Sequence, residues 1–281
     1  MSPKLIAMLV QALMVLLPSG YLVVSLLYAM AFAGDSEPRI SRFRRPLLRL
    51  LSVLHFGLFA LHGIAVGGFP TFDGWLSVSA VSFAVVALFV GVTWSHRQPT
   101  VGSLVLLTAG VLQMIASMFG SMVQLTAGGA SSAPTAAHVL TAAFASAAVV
   151  LSGLYGFLYL LLLRQMKRQT FGAIFRRLPD LTQLAAMTRR AALAGFLGLA
   201  LGVNVGIGMA HAANTSGFHY ADPTVLLTLG VWVHFGLIAF SRKIRGITAQ
   251  RASWAAVAGL TVLLGTLFLA VIPGATFHAL K

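Results

Sequence analysis

The chain alternates between long apolar runs and short polar gaps. Eight of the runs are long enough to cross a hydrocarbon core of ~30 Å as helices that rise about 1.5 Å per residue. They cover residues 5–32, 47–66, 75–94, 101–123, 138–163, 191–210, 223–240 and 253–272. The pattern predicts an all-α integral membrane protein, a bundle of about eight transmembrane helices that forms a single polytopic domain over residues 1–281.

The basic residues follow the polar gaps in a regular order. Every Lys and Arg except Lys4 and Lys281 lies in, or at the margin of, the first, third, fifth or seventh gap. Basic connections are retained in the cytoplasm, so this order predicts that those four gaps are cytoplasmic. An even number of crossings then places both termini on the extracytoplasmic side, in a multi-pass protein of the inner (plasma) membrane.

Composition narrows the class of protein further. Hydrophobic residues make up 58% of the chain and charged residues only 9%, whereas about 25% of residues are charged in soluble domains. The net charge of +14 comes from the gaps beside apolar runs, which indicates contact with a lipid bilayer and no nucleic acid. The chain has no cysteine, so it carries no disulfide and no thiolate ligand.

Three histidines lie inside the apolar runs, where an ionisable side chain is costly and usually functional. His55 and His62 are seven residues apart on the second span and therefore share one helical face. His55 follows Arg49 by six residues, which places it ~9 Å from the cytoplasmic edge. His234 precedes Arg242 by eight residues, ~12 Å from the same edge. Level imidazoles on two helices are suited to the axial ligation of haem iron, so His55 and His234 are one candidate pair.

A second group of histidines is predicted at the extracytoplasmic surface. His138 opens the fifth span, His211 closes the sixth, His219 lies in the following gap and His278 follows the last span. Each histidine also has a structural interpretation, as an interhelical hydrogen bond or a solvated residue at the membrane edge. A zinc or copper site usually needs three or four neighbouring ligands, and the histidine spacing does not provide them.

Three further patterns concern helix structure. Gly195, Gly198 and Gly202 are small residues on the sixth span and predict close packing against a neighbouring helix. Residues 164–190 mix basic and large apolar residues, a pattern typical either of a helix lying on the membrane surface or of a solvated linker. Residues 18–20, with the sequence Pro-Ser-Gly, are a candidate break in the first span.

Several short motifs together resemble the cytochrome c assembly superfamily, specifically its HemX-like branch of eight-span proteins related to CcsA. The resemblance covers nearly the whole chain, and the motifs stand in the same order. They are Gly68-Phe69-Pro70, His138 with the later Leu158-Tyr159-Leu160, Leu178-Pro179-Asp180-Leu181, Phe218-His219-Tyr220-Ala221-Asp222 and Phe277-His278.

The resemblance implies a membrane protein that binds and handles haem in cytochrome c biogenesis or in the regulation of haem synthesis. It implies that His138 and His278 ligate haem iron on the extracytoplasmic side, that His55 is an inner ligand, and that His219 lies in the haem-facing segment. The cofactor would be b-type haem held without a covalent bond, and the partners would be haem, lipid and other cytochrome c assembly proteins. The protein would be a carrier and not an enzyme, since no catalytic arrangement of side chains is evident.

Two other classes of function remain open at this stage. A membrane transporter would use the histidines as a proton relay or substrate site, and the candidate break at residues 18–20 favours it. A cytochrome b-like membrane subunit would hold haem between histidines at two depths, to which His55 and His62 correspond superficially.

Overall fold

The computed structural model describes residues 2–33, 38–70, 74–93, 99–120, 132–170, 172–212 and 223–270. The elements in these ranges are helices, and each predicted span coincides with one long helix, which confirms the all-α class. They are α1 (Pro3–Ala33), α2 (Pro38–Val66), α3 (Gly74–Thr93), α4 (Pro99–Gly120), α5 (Ala133–Lys167), α6 (Ala173–Arg177), α7 (Leu181–Ala212), α8 (Pro223–Ala239) and α9 (Ala249–Ala270), with a 3-10 turn at Ser241–Lys243.

The helices expose many large apolar side chains and bury several polar ones. Six of the described helices are long and apolar enough to cross a membrane, and Leu226–Ala239 within α8 is a shorter apolar stretch. Val15 and Val53 are 70% and 67% exposed, while Ser82 and Gln113 are fully buried. This distribution is the reverse of that in a soluble protein and is expected where the surface meets lipid, since buried polar groups then find partners in the interior.

The long segment 164–190 does not form one surface helix, which was the first of the two alternatives that its sequence left open. The α5 helix continues to Lys167 and ends where Gln169 adopts a left-handed backbone, with a φ of 52°. The five-residue α6 follows, and α7 already begins at Leu181. Asp180 caps α7, because its Oδ1 accepts a hydrogen bond of 2.7 Å from the backbone N–H of Gln183.

The predicted break in the first span is wrong, because α1 is continuous from Pro3 to Ala33 with Pro18 inside it. The Ser19 hydroxyl donates to the Val15 carbonyl at 2.8 Å within the same helix. Gly20 instead allows α1 to approach α2, since a Cβ there would lie 2.5 Å from Cδ2 of Leu51. The feature that favoured a transporter is therefore absent from α1.

The chain divides into two compact units, Met1–Ala136 and Ala137–Lys281. In the first unit α1 packs against α2 and α4, and α3 packs against the same two helices, which closes a four-helix bundle. At one end Tyr28 packs against Gly102, and at the other Trp75 packs against Gly120. These contacts show that α1 and α3 run in one direction and α4 in the other.

The second unit is built on close contacts between helix backbones. The α7 helix approaches α5 through Gly195 and Gly198, where added Cβ atoms would lie 3.4 Å from Val149 and 3.0 Å from Ala145. A Cβ added at Gly202 would lie 3.4 Å from Oγ1 of Thr141 in α5, so the packing predicted for these three glycines is confirmed. The core behind them is formed by Val149, Ala192, Phe235, Ile238, Ala252 and Ala256.

Candidate functional site

The structure describes three of the five predicted haem-binding histidines. His55 lies in the first unit, and His138 and His234 lie in the second. His219 and His278 lie outside the described residues. The pairing of His138 with His278 and that of His55 with His234 therefore stay predictions.

His138 lies in the second turn of α5, and its ring contacts α7. Its Nδ1 lies 3.0 Å from the backbone carbonyl oxygen of Gly202. A carbonyl oxygen only accepts hydrogen bonds, so Nδ1 of the neutral ring must carry the proton and Nε2 must carry the lone pair. Gly206 makes room for the ring, because a Cβ at that position would lie 3.0 Å from Cε1 of His138.

The approach of α5 to α7 is what brings the His138 ring to that carbonyl. Gly195, Gly198 and Gly202 of α7 leave no side chains in the contact. A buried hydrogen bond of 3.0 Å also joins the Ser152 hydroxyl of α5 to the Thr188 carbonyl of α7. The partner that orients the His138 ring is therefore a backbone carbonyl of α7 and not another side chain.

His234 also bonds a backbone carbonyl of a neighbouring helix, but through Nε2 where His138 uses Nδ1. On α8 its Nε2 lies 3.0 Å from the carbonyl oxygen of Ala255 in α9. The same reasoning assigns the proton to Nε2 and leaves the lone pair on Nδ1. Gly259 gives the space, since a Cβ there would lie 3.3 Å from Nε2 of His234 and 2.8 Å from the ring of Phe235. The side chain is half-buried.

His55 is fully buried in the first unit, and both of its ring nitrogens have partners. Nδ1 lies 2.9 Å from the Tyr21 hydroxyl and Nε2 lies 3.0 Å from the Ser79 hydroxyl. The ring stacks on Phe59 with centroids 5.3 Å apart and meets Phe83 edge-on at the same distance. One of the two hydrogen bonds has to open before His55 can bind a metal.

Two other histidines have clear local contacts. His62 is buried two turns beyond His55, which confirms that the two share the inward face of α2, and its ring meets Trp75 edge-on at 5.7 Å. His211 lies in the last turn of α7, where its Nδ1 donates to the Ile207 carbonyl of its own helix at 2.9 Å. His211 is exposed, as expected for a residue at the edge of the membrane.

Histidines that ligate a metal usually donate their second N–H to a carbonyl or carboxylate, which fixes the tautomer and directs the other nitrogen to the metal. His138 and His234 both meet this requirement. Neutral imidazole with one oriented lone pair is an axial ligand for haem iron. The donor chemistry of these two residues therefore fits haem, and that of His55 fits once one of its two hydrogen bonds opens.

The fold and these histidines define a class: a multi-pass α-helical membrane protein with histidines inside its helices, two of which are oriented by backbone carbonyls. The chain belongs to the cytochrome c assembly protein family, whose model matches residues 46–276 and relates the chain to haem handling in cytochrome c biogenesis. The match includes His55, His138, His219 and His234, and ends two residues before His278. Protein HemX of Brevibacillus brevis is 26% identical over 249 residues, which cover 87% of this chain and 89% of that protein.

Sequence reasoning missed the residues that orient the histidines. Tyr21, Ser79 and Gln113 surround His55, and Gly206 makes room for His138. The only signal was that Gln113 and Ser79 are polar residues inside apolar runs. Nothing in the spacing along one helix shows which residue of another helix lies opposite, so these partners became visible only in the folded chain.

Proposed function

We propose that the chain is a haem-binding membrane protein that carries haem in cytochrome c biogenesis or in the regulation of haem synthesis. The observation that carries the proposal is the hydrogen bond of 3.0 Å from Nδ1 of His138 to the Gly202 carbonyl, which leaves Nε2 free to act as an axial ligand. Membership of the cytochrome c assembly family supports the same role.

The haem is proposed to be b-type and bound without a covalent bond. Covalent attachment would need cysteine thiols, and the chain has none. The haem would supply all redox chemistry, while the residues of the chain hold the iron and exclude water around it. In the second unit His138 and His234 offer oriented nitrogens, and His278 and His219 are proposed to complete the extracytoplasmic site.

The orientation proposed for the helices follows from the basic residues. Arg44 lies 5.1 Å above the Tyr28 ring, at the end of the first unit opposite Trp75. In the second unit, Arg164 and Lys167 in the last turn of α5 are basic, and His138 lies near the other end of that helix. The positive-inside rule then assigns the Arg44 and Arg164 ends to the cytoplasm and His138 to the outer side of the plasma membrane.

The test is the absorbance spectrum of protein purified from haem-replete cells, oxidised and then reduced. We expect a Soret band that shifts on reduction and is strongly diminished in His138→Ala. His211→Ala is the matched control, because His211 is an exposed residue at the end of α7 whose Nδ1 bonds within its own helix. A colourless wild-type protein, or equal haem content in wild type and His138→Ala, would contradict the proposal.

A further inference from the structure

The four helices of the first unit all contribute polar side chains to one series of hydrogen bonds, which is buried over most of its length. The Tyr21 hydroxyl of α1 lies 2.9 Å from Nδ1 of His55 in α2. Nε2 of His55 lies 3.0 Å from the Ser79 hydroxyl of α3, and that hydroxyl donates to Oε1 of Gln113 in α4 at 2.9 Å. Gln113 in turn donates through Nε2 to the Ser117 hydroxyl at 3.4 Å. The first four side chains are all 0% exposed.

The number of hydrogens available in this series of hydrogen bonds determines which group donates in each bond. The Gln113 amide is oriented with Oε1 toward Ser79 and Nε2 toward Ser117, so the Ser79 hydroxyl donates its one hydrogen to Gln113. Ser79 must therefore accept from His55, so Nε2 of His55 carries the proton and Nδ1 carries the lone pair. That lone pair accepts the hydrogen of the Tyr21 hydroxyl.

The surroundings of the ring keep this assignment in place. Phe59 stacks on His55 with an interplanar angle of 25°, and Phe83 closes one edge at 68°. A ring held between aromatic neighbours in a close-packed interior does not readily turn over to exchange its two nitrogens. The identity of the nitrogen with the lone pair is thus set by residues on α3 and α4, which are remote from His55 in sequence.

We infer that Ser79 and Gln113 are positioning residues that hold His55 as its Nε2–H tautomer, and that the Tyr21 hydroxyl occupies the one nitrogen, Nδ1, with which His55 would bind haem iron. The inference rests on the proposed haem-binding function. Tyr21 precedes the residues matched by the family model, which begin at position 46. In this arrangement Tyr21 competes with the ligand at His55, whereas no such hydroxyl bonds Nε2 of His138 in the part of the chain that the structure describes.

The tautomer can be measured without haem. Protein labelled with ¹⁵N-histidine, in nanodiscs, is recorded in long-range ¹H–¹⁵N correlation spectra, and His55→Asn identifies the His55 signals by their loss. We expect a protonated Nε2 and an unprotonated Nδ1 in the wild type. Gln113→Leu releases the Ser79 hydrogen toward Nε2, so it should shift the population toward the Nδ1–H form. Ser82→Ala is the control, because the Ser82 hydroxyl bonds the Ala109 carbonyl and not His55.

Competition by Tyr21 is measured by titrating haemin into apoprotein that carries His138→Ala, and the part of the remaining binding that a further His55→Asn change abolishes reports on His55. Adding Tyr21→Phe, which removes only the hydroxyl, should tighten this binding about fivefold, the equivalent of about 1 kcal/mol for one hydrogen bond. Adding Tyr155→Phe, a change at a buried tyrosine of the second unit, should leave it unchanged. Gel filtration and helical content verify that each variant is folded.

The possible results distinguish a failure of this inference from a failure of the proposed haem-binding function. An Nδ1–H tautomer at His55 in the wild type would overturn the positioning role of Ser79 and Gln113. If the His138→Ala protein binds haemin and Tyr21→Phe does not strengthen that binding, competition by Tyr21 is overturned while the proposed function stands. If no form of the protein binds haemin, the proposed function fails and the competition fails with it, and the tautomer assignment is then decided by the spectra alone.

Discussion

Nδ1 of His138 in α5 donates a hydrogen bond of 3.0 Å to the carbonyl oxygen of Gly202 in the neighbouring helix α7. The ring reaches this carbonyl only because the next turn of α7 carries Gly206, which has no side chain to block it. The orientation of a candidate ligand therefore depends on a residue that makes no polar contact of its own.

Gly206→Val is expected to weaken haem binding at least about tenfold, a loss typical of changes to the residues that support a ligating histidine. The new side chain would occupy the space of the His138 ring, since even its Cβ would lie 3.0 Å from Cε1. Gly208→Val is the matched control on the same helix, because a Cβ at Gly208 meets nothing within 4 Å. Haemin titration of both variants is the measurement, and equal affinities would contradict the role of Gly206.

Gly153→Ala is expected to lower the free energy of unfolding by about 1–3 kcal/mol, the usual cost of overpacking an interior. Its Cβ would lie 2.4 Å from Cβ of Leu260 and 3.0 Å from the Ala256 carbonyl, so α5 and α9 would have to move apart. Gly230→Ala, on an exposed face of α8 with nothing within 4 Å, should instead be neutral or stabilising by up to about 1 kcal/mol. Thermal unfolding in detergent compares the stability of the two variants, and a Gly153→Ala protein more stable than the wild type would contradict the prediction.

Trp232→Phe is expected to change the free energy of unfolding by less than about 1 kcal/mol, because the buried indole N–H has no hydrogen-bond partner among the described residues. The ring stacks on Phe196 of α7 with centroids 4.7 Å apart, a contact that phenylalanine preserves. Phe196→Ala removes the stacked surface and should cost about 3 kcal/mol. Thermal unfolding again distinguishes them, and a large loss for Trp232→Phe would reveal a partner for the indole.

The proposed orientation can be tested against a background without thiols, because the chain contains no cysteine. Ala133→Cys at the start of α5 should react with a membrane-impermeant maleimide added to intact spheroplasts, since that end is proposed to face outward. Gln250→Cys in the first turn of α9, beside Arg251, should react only after the membrane is permeabilised. The reverse labelling pattern would invert the orientation of the helices.

Much of the architecture was predictable because the bilayer imposes it. Each apolar run long enough to cross the membrane became a helix, since unpaired backbone groups are not tolerated in lipid. Segment 164–190 is not one surface helix and Pro18 does not break α1, and in both places the outcome depended on local capping and on the neighbouring helix. Asp180 ended the linker earlier than hydropathy indicated, because a cap acts independently of apolar content.

Hydropathy, charge order and the positions of the histidines were thus determined by the amino-acid sequence alone, because they depend on the identity of residues and their distance along one helix. The sequence also predicted that Gly195, Gly198 and Gly202 permit close packing. Which nitrogen of each histidine carries the lone pair was decided only by the tertiary structure. That choice depends on the Gly202 carbonyl for His138 and the Ser79 hydroxyl for His55, and both come from other helices.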